Sequence, residues 1–236
     1  MDNRVVRALG ALAVASVVAA SVGVERAAAH PHVFVKVETR LVAKDGALVG
    51  LRHTWIFDET WLANQILEHD KDGDGKLSAA ELVPLTTESK ATLEMFRSFT
   101  VVRAGGTLTR VVAPRDLAFA YRGAGMGLTF TVSLAKPVPL AGDLLLEVYD
   151  ATYFSGLVFD GADAVTFAGD APAGCTIKAD APASPQQLNA YRMVKKQMGP
   201  EFVDPGTPKS VAVSCVKSVG VGSSEPVGLH VPVSTR

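Results

Sequence analysis

From Val33 the chain alternates apolar and polar positions: Val33, Val35 and Val37 interleave with His32, Phe34, Lys36 and Glu38, the period of a half-buried strand. Leu51, His53, Trp55 and Phe57 repeat the pattern, and Asp45-Gly46 between the runs is a two-residue turn signal. Such a turn makes Phe34 face Phe57, Lys36 face Trp55, Glu38 face His53 and His32 face Glu59. At Asp58 the period becomes helical. Asp58 or Thr60 can cap this helix, and Trp61, Leu62, Ile66 and Leu67 give it an apolar side through His69. A second helix is expected over about 79–97, kinked or delayed by Pro84.

After Thr100 short apolar runs punctuated by Gly and Pro predict strands at 100–103, 108–113, 117–122, 128–134, 144–149, 165–167, 175–178 and 211–216. A last helix is expected over 185–198. The pattern predicts an α+β fold: one antiparallel β-rich domain over 30–218, an EF-hand-like helix–loop–helix inserted at about 58–97, and one further C-terminal helix. Residues 219–236 read as a flexible tail.

Composition narrows the class. The 236 residues carry a net charge of −1, with 48% hydrophobic and 20% charged residues. That balance excludes a disordered chain and an electrostatic nucleic-acid binder. Arg4 and Arg7 precede an uncharged Ala/Val-rich run to Val24, and Ala27-Ala28-Ala29 follows as a small-residue cleavage pattern. Residues 1–29 therefore read as a signal peptide of the general export route, with an uncleaved anchor as the rival reading. The mature protein is expected to span no membrane and to reside in the periplasm. An oxidising compartment favours pairing Cys175 with Cys215, which closes a loop of about 40 residues and contributes roughly 4 kcal/mol on a chain-entropy estimate. A two-thiol metal site is the alternative, without a CxxC partner to support it.

The most specific motif is Asp70 to Glu81. Asp70, Asp72 and Asp74 occupy positions 1, 3 and 5 of a twelve-residue EF-hand loop, and Gly75 permits the turn at position 6. The Lys76 carbonyl serves position 7, Ser78 holds a water at 9, and Glu81 closes the shell at 12. Calcium takes six to eight hard oxygens on a flexible loop, and this spacing supplies them. The other reading is an acidic surface turn. A solitary loop of this kind suits a structural clamp better than a switch.

Cleavage after Ala29 would expose His30-Pro31-His32, whose amine and imidazoles suit Ni, Co, Zn or Cu. Pro31 has no N–H, which excludes an amino-terminal Cu/Ni chelate through that nitrogen. The expected site is His30, His32 and a carboxylate from Asp58 or Glu59. His53, opposite Glu38 and about 20 Å from His32 at ~3.3 Å per residue, is a poor co-ligand and reads as a cross-strand partner of Glu38. His230 lies in the tail. Tyr149-Asp150-Ala151-Thr152-Tyr153-Phe154 reads as core packing at a strand end or as the wall of a cleft. No nucleophile elbow, phosphate-cradling glycine loop or HExxH helix is present, so no enzyme is expected.

His30-Pro31-His32-Val33-Phe34-Val35, Trp55-Ile56-Phe57-Asp58-Glu59, the 70–81 loop followed by Leu82, and the 149–154 segment together resemble an exported bacterial family. It is domain-of-unknown-function family 1007, described as the periplasmic component of an uncharacterised ABC-type transport system. The resemblance implies a periplasmic protein, encoded near nickel/cobalt-type permeases, without an established activity. The expected function is a calcium-binding accessory protein handling a transition metal for an inner-membrane transporter. The alternative is a structural or interaction module of the envelope in which calcium is only a clamp.

Overall fold

The computed structural model describes residues 31–169 and 173–216. The expected signal segment, His30, His230 and the 219–236 tail lie outside them. In chain order the elements are β1 (Val33–Lys44), β2 (Ala47–Phe57), α1 (Glu59–His69), α2 (Leu82–Met95), β3 (Thr100–Ala104), β4 (Thr107–Thr109), β5 (Arg115–Arg122), β6 (Gly125–Pro139), β7 (Gly142–Val148), β8 (Ser155–Phe159), β9 (Val165–Phe167), β10 (Cys175–Pro182), α3 (Pro185–Met198) and β11 (Lys209–Cys215). The fold is α+β and β-rich.

Alternation along the strands gives each of two sheets one apolar face, and the faces pack together. The first sheet runs β5-β6-β2-β1-β8, with β9 also paired to β1; the second runs β10-β11-β7-β3-β4. Leu41, Leu51, Phe130 and Val132 of the first share one buried cluster with Val102, Leu146, Val211 and Val213 of the second. Among the described residues no helix is long and apolar enough to cross a membrane. Cys175 and Cys215 face each other across β10 and β11 and form a disulfide.

Two expectations are corrected here. The first sheet is mixed rather than antiparallel throughout, because β8 and β9 both run parallel to β1. The β1–β2 register holds only beside the turn, at Lys44↔Ala47 and Ala43↔Leu48. A bulge at Val49 then brings Gly50 opposite Val42, so Thr39 rather than Glu38 faces His53, Val37 faces Trp55, and Val35 faces Phe57. Gly50 permits the close approach this needs: a Cβ there would lie 2.6 Å from the Val132 carbonyl oxygen.

The boundaries differ less. Pro84 delays α2 to Leu82 and sits in its first turn, where its missing N–H costs nothing. The expected 108–113 strand contracts to β4 and a single bridge, Val111↔Leu134. After α2, Arg97, Ser98 and Phe99 all adopt left-handed backbone, which turns the chain into β3.

Candidate functional site

The 70–81 loop lies between α1 and α2, against the β5 margin of the first sheet. Asp58 starts α1 by accepting the Trp61 amide at 2.8 Å, and the Asp70 amide closes its end on the Ile66 carbonyl at 3.0 Å. Gly73 and Gly75 have φ of 74° and 79°, the left-handed region that folds the loop back on itself. Asp70 accepts the amides of Gly73 at 2.8 Å and Gly75 at 2.9 Å. Asp72 accepts from Asp74 at 3.2 Å, and Asp74 accepts from Lys76 at 2.8 Å.

Carboxylate oxygens of Asp70, Asp72 and Asp74 all lie within 4.8 Å of one another. The Asp74 amide lowers the Asp72 pKa, but the charges of Asp74, Glu81 and Asp70, helped by desolvation, outweigh it and leave the group above its ordinary value. Glu81 is buried and is held at the loop's end. Its Oε1 accepts the Lys71 amide at 2.6 Å, and its Oε2 accepts the Ser78 amide at 2.8 Å and hydroxyl at 2.7 Å. These donors, with Lys71 first, bring its pKa down to about 2, so it is ionised at neutral pH. Carboxylates and a backbone carbonyl are hard oxygen donors, the set that suits calcium.

One member of this region was not legible in the sequence. The Leu77 amide, inside the loop, donates to the Tyr121 phenol at 2.7 Å. Leu77 also packs with Leu62, Leu85 and Met126, so the loop is tied to both helices and to the sheet. A contact across 44 residues has no local signal.

The expected N-terminal ligands are dispersed. His30 lies outside the described residues. His32 is exposed; its amide donates to the Phe154 carbonyl at 2.8 Å and its ring lies 4.8 Å from that of Phe154. The β1–β2 ladder ends at Val35↔Phe57, and the start of β1 pairs with β8, so His32 is drawn away from its expected partner Glu59. The Asp58 carboxylate caps α1, and Glu59 is exposed on its first turn. Among the described residues His32, Asp58 and Glu59 form no three-ligand group.

His53 is fully buried and leans 5.1 Å from the Phe130 ring. Its Nδ1 lies 2.8 Å from the Thr39 hydroxyl and its Nε2 3.3 Å from the Thr100 hydroxyl of the other sheet. The expected Glu38 bond is absent because of the register shift.

The 149–154 segment does both things expected of it. Tyr153 is buried against Tyr191 and Phe202, while Tyr149, Asp150 and Tyr153 line a cleft of about 510 Å³. Asp150 shapes the turn by accepting the Thr152 amide and hydroxyl and the Ser155 amide.

No solved structure matches the chain. An uncharacterised protein of Haemophilus influenzae is 23% identical over 164 residues, covering 69% of this chain and 78% of that protein. The order of motifs from the histidine-flanked first strand through the acidic loop to the aromatic turn accords with a match over residues 15–215, and on it the chain belongs to the family described as "Protein of unknown function (DUF1007)".

Proposed function

We propose that this protein is an exported, periplasmic binding module whose EF-hand-like loop holds one calcium ion as a structural clamp. The observation that carries the reading is the gathering of Asp70, Asp72 and Asp74 oxygens within 4.8 Å, with Glu81 ionised at the twelfth position. Asp70, Asp72, Asp74, the Lys76 carbonyl and Glu81 would hold the ion, with Ser78 positioning a water. The bound charge would relieve the mutual repulsion of the three aspartates and fasten α1, α2 and β5 to one another. The Tyr121 tie supports a clamp over a switch, because it fixes the loop to the sheet. The export half of the reading rests on the residue pattern of 1–29 and accords with the disulfide.

The proposal stops at calcium. Asp58 is engaged in capping, His32 packs on Phe154, and among the described residues the expected transition-metal ligands do not come together. Calorimetric titration of the mature chain tests it. The wild type should bind one calcium ion, with a Kd of roughly 0.1–1 mM as in extracellular modules. Glu81→Gln should weaken binding about tenfold or more, with its circular dichroism spectrum retained. Equal binding by the two proteins, or binding by neither, would overturn the assignment.

A further inference from the structure

The second sheet ends at β4, and beside that edge lies an open groove of about 670 Å³. One wall is the end of α2 with the turn after it, and the other is β3, β4 and the 110–114 segment. Three arginines line it: Arg97 from the turn, Arg103 from β3 and Arg110 from the stretch after β4. Arg97 is set there by a turn in which three successive non-glycine residues hold left-handed backbone, a costly conformation.

The surrounding acids do not cancel this charge. Glu94 is the acid of the lining, and its carboxylate lies 3.9 Å from Lys90. Glu147, opposite Val101 on β7, is buried and has one oxygen on the Ser184 amide at 2.8 Å. Setting Glu94 against Lys90 and Glu147 against Arg103 still leaves Arg97 and Arg110, neither of them in an ion pair among the described residues. The carbonyl end of α2, before Arg97, brings only about half a unit of negative charge. Arg103 itself donates to a neutral oxygen, Gln186 Oε1, at 2.8 Å. The groove is cationic on balance.

Its apolar side chains are also left to water. Met95 is 75% exposed, Leu108 53% and Val112 47%, and all three line the groove. A small anion would leave that surface wet, and a hydrocarbon would leave the arginines unmatched. A ligand that carries acidic and apolar groups along its length satisfies both. The planar guanidinium fork suits carboxylates in particular. β4 adds a backbone template, because one side of an edge strand has no ladder partner and can pair with an extended chain. With three residues it offers few such bonds, which leaves the selectivity to the charges.

We infer that this groove docks an extended acidic segment of a partner protein, with carboxylates on Arg97, Arg103 and Arg110 and apolar side chains against Met95, Leu108 and Val112. No residue of the 70–81 loop lines it, so the inference stands apart from the calcium reading.

Fluorescence anisotropy of the whole mature chain tests it, with a labelled octapeptide alternating Glu with Leu or Val, and with counterparts carrying Gln or Lys in place of Glu. The Glu peptide should bind saturably, the Gln peptide about tenfold or more weaker, and the Lys peptide not at all. Raising salt from about 50 to about 200 mM should weaken the Glu peptide severalfold. Arg110→Glu should weaken it about tenfold or more, and Arg97→Gln and Leu108→Ser severalfold each. All three positions are exposed, so the urea midpoints should match the wild type. Arg192→Gln, on the exposed face of α3 outside the groove, should bind as the wild type does. The inference is overturned by no binding of the Glu peptide, by equal binding of the Gln peptide, or by Arg110→Glu binding as well as the wild type. Phosphatidylglycerol vesicles binding in place of the peptide would overturn it in favour of a lipid surface, and displacement of the peptide by micromolar citrate in favour of a small anion.

Discussion

His53 sits between two threonine hydroxyls, one from each sheet, with no exposure to solvent. Burial lowers its pKa from 6.5 to about 3, so the folded protein keeps the ring neutral where the unfolded chain takes up a proton. The stability this contributes is fully present above about pH 6.5 and is lost as pH falls toward 3, a loss on the order of a few kcal/mol. Glu81 acts in the same direction but lower, between 4.5 and about 2. The window above 4.5 therefore reports on His53. Urea unfolding across that window should show stability falling steeply in the wild type, whereas His53→Gln should be less stable at neutral pH but flatter. An unchanged slope in the variant would mean another group titrates. Strand alternation set His53 in line with Leu51, Trp55 and Phe57, yet its cross-strand partner was misplaced by one residue. The cause is the bulge at Val49, and the clue to it was Gly50, since a glycine inside a strand often marks a bulge or a close backbone approach.

Among the elements, those with local causes were the ones the sequence revealed. The end of α1 at His69 follows from apolar periodicity, and α3 spans the expected 185–198 because Ser184, Pro185 and Gln187 form a start signal. β8 was missed: it opens on Ser155-Gly156, is too short to alternate, and pairs in parallel with a strand more than a hundred residues earlier. Glu147 did leave a mark, as an acid set between Leu144-Leu145-Leu146 and Val148 in β7, but nothing local told what it would cap. Tyr121 left none, and it defines the prediction at this scale. Tyr121→Phe leaves the Leu77 amide without its acceptor in a partly buried place, at a cost of about 1 kcal/mol. Because the same bond orders the loop, calcium affinity should fall severalfold with it. Thermal melts in chelator, with a calcium titration beside them, measure both effects. A variant that matches the wild type in each would show that the phenol contact does not tie the loop to the sheet.

The whole molecule has a fastening at each of two distant margins. The acidic loop lies by β5 at one margin of the first sheet, and the Cys175–Cys215 bond joins β10 to β11 at a margin of the second. Between them is one buried cluster with members from both sheets, and the smaller cluster of Leu62, Leu77, Leu85 and Met126 at the loop margin is joined to it through Trp61 and Phe119. A shared core makes unfolding cooperative, and both fastenings should act on the same transition. Replacing both cysteines by serine should destabilise the protein by roughly 4 kcal/mol on the chain-entropy estimate, less if the unfolded chain retains structure. Calcium at about ten times its Kd should add roughly 1.4 kcal/mol. The two sites share no residue, so the calcium increment should be the same with and without the disulfide, to within about 0.5 kcal/mol. Scanning calorimetry of the four states decides this: a single transition in each, shifted additively, is expected. Two resolved transitions would show that the sheets unfold separately. A calcium increment that disappears with the disulfide would show instead that the margins are coupled through the core.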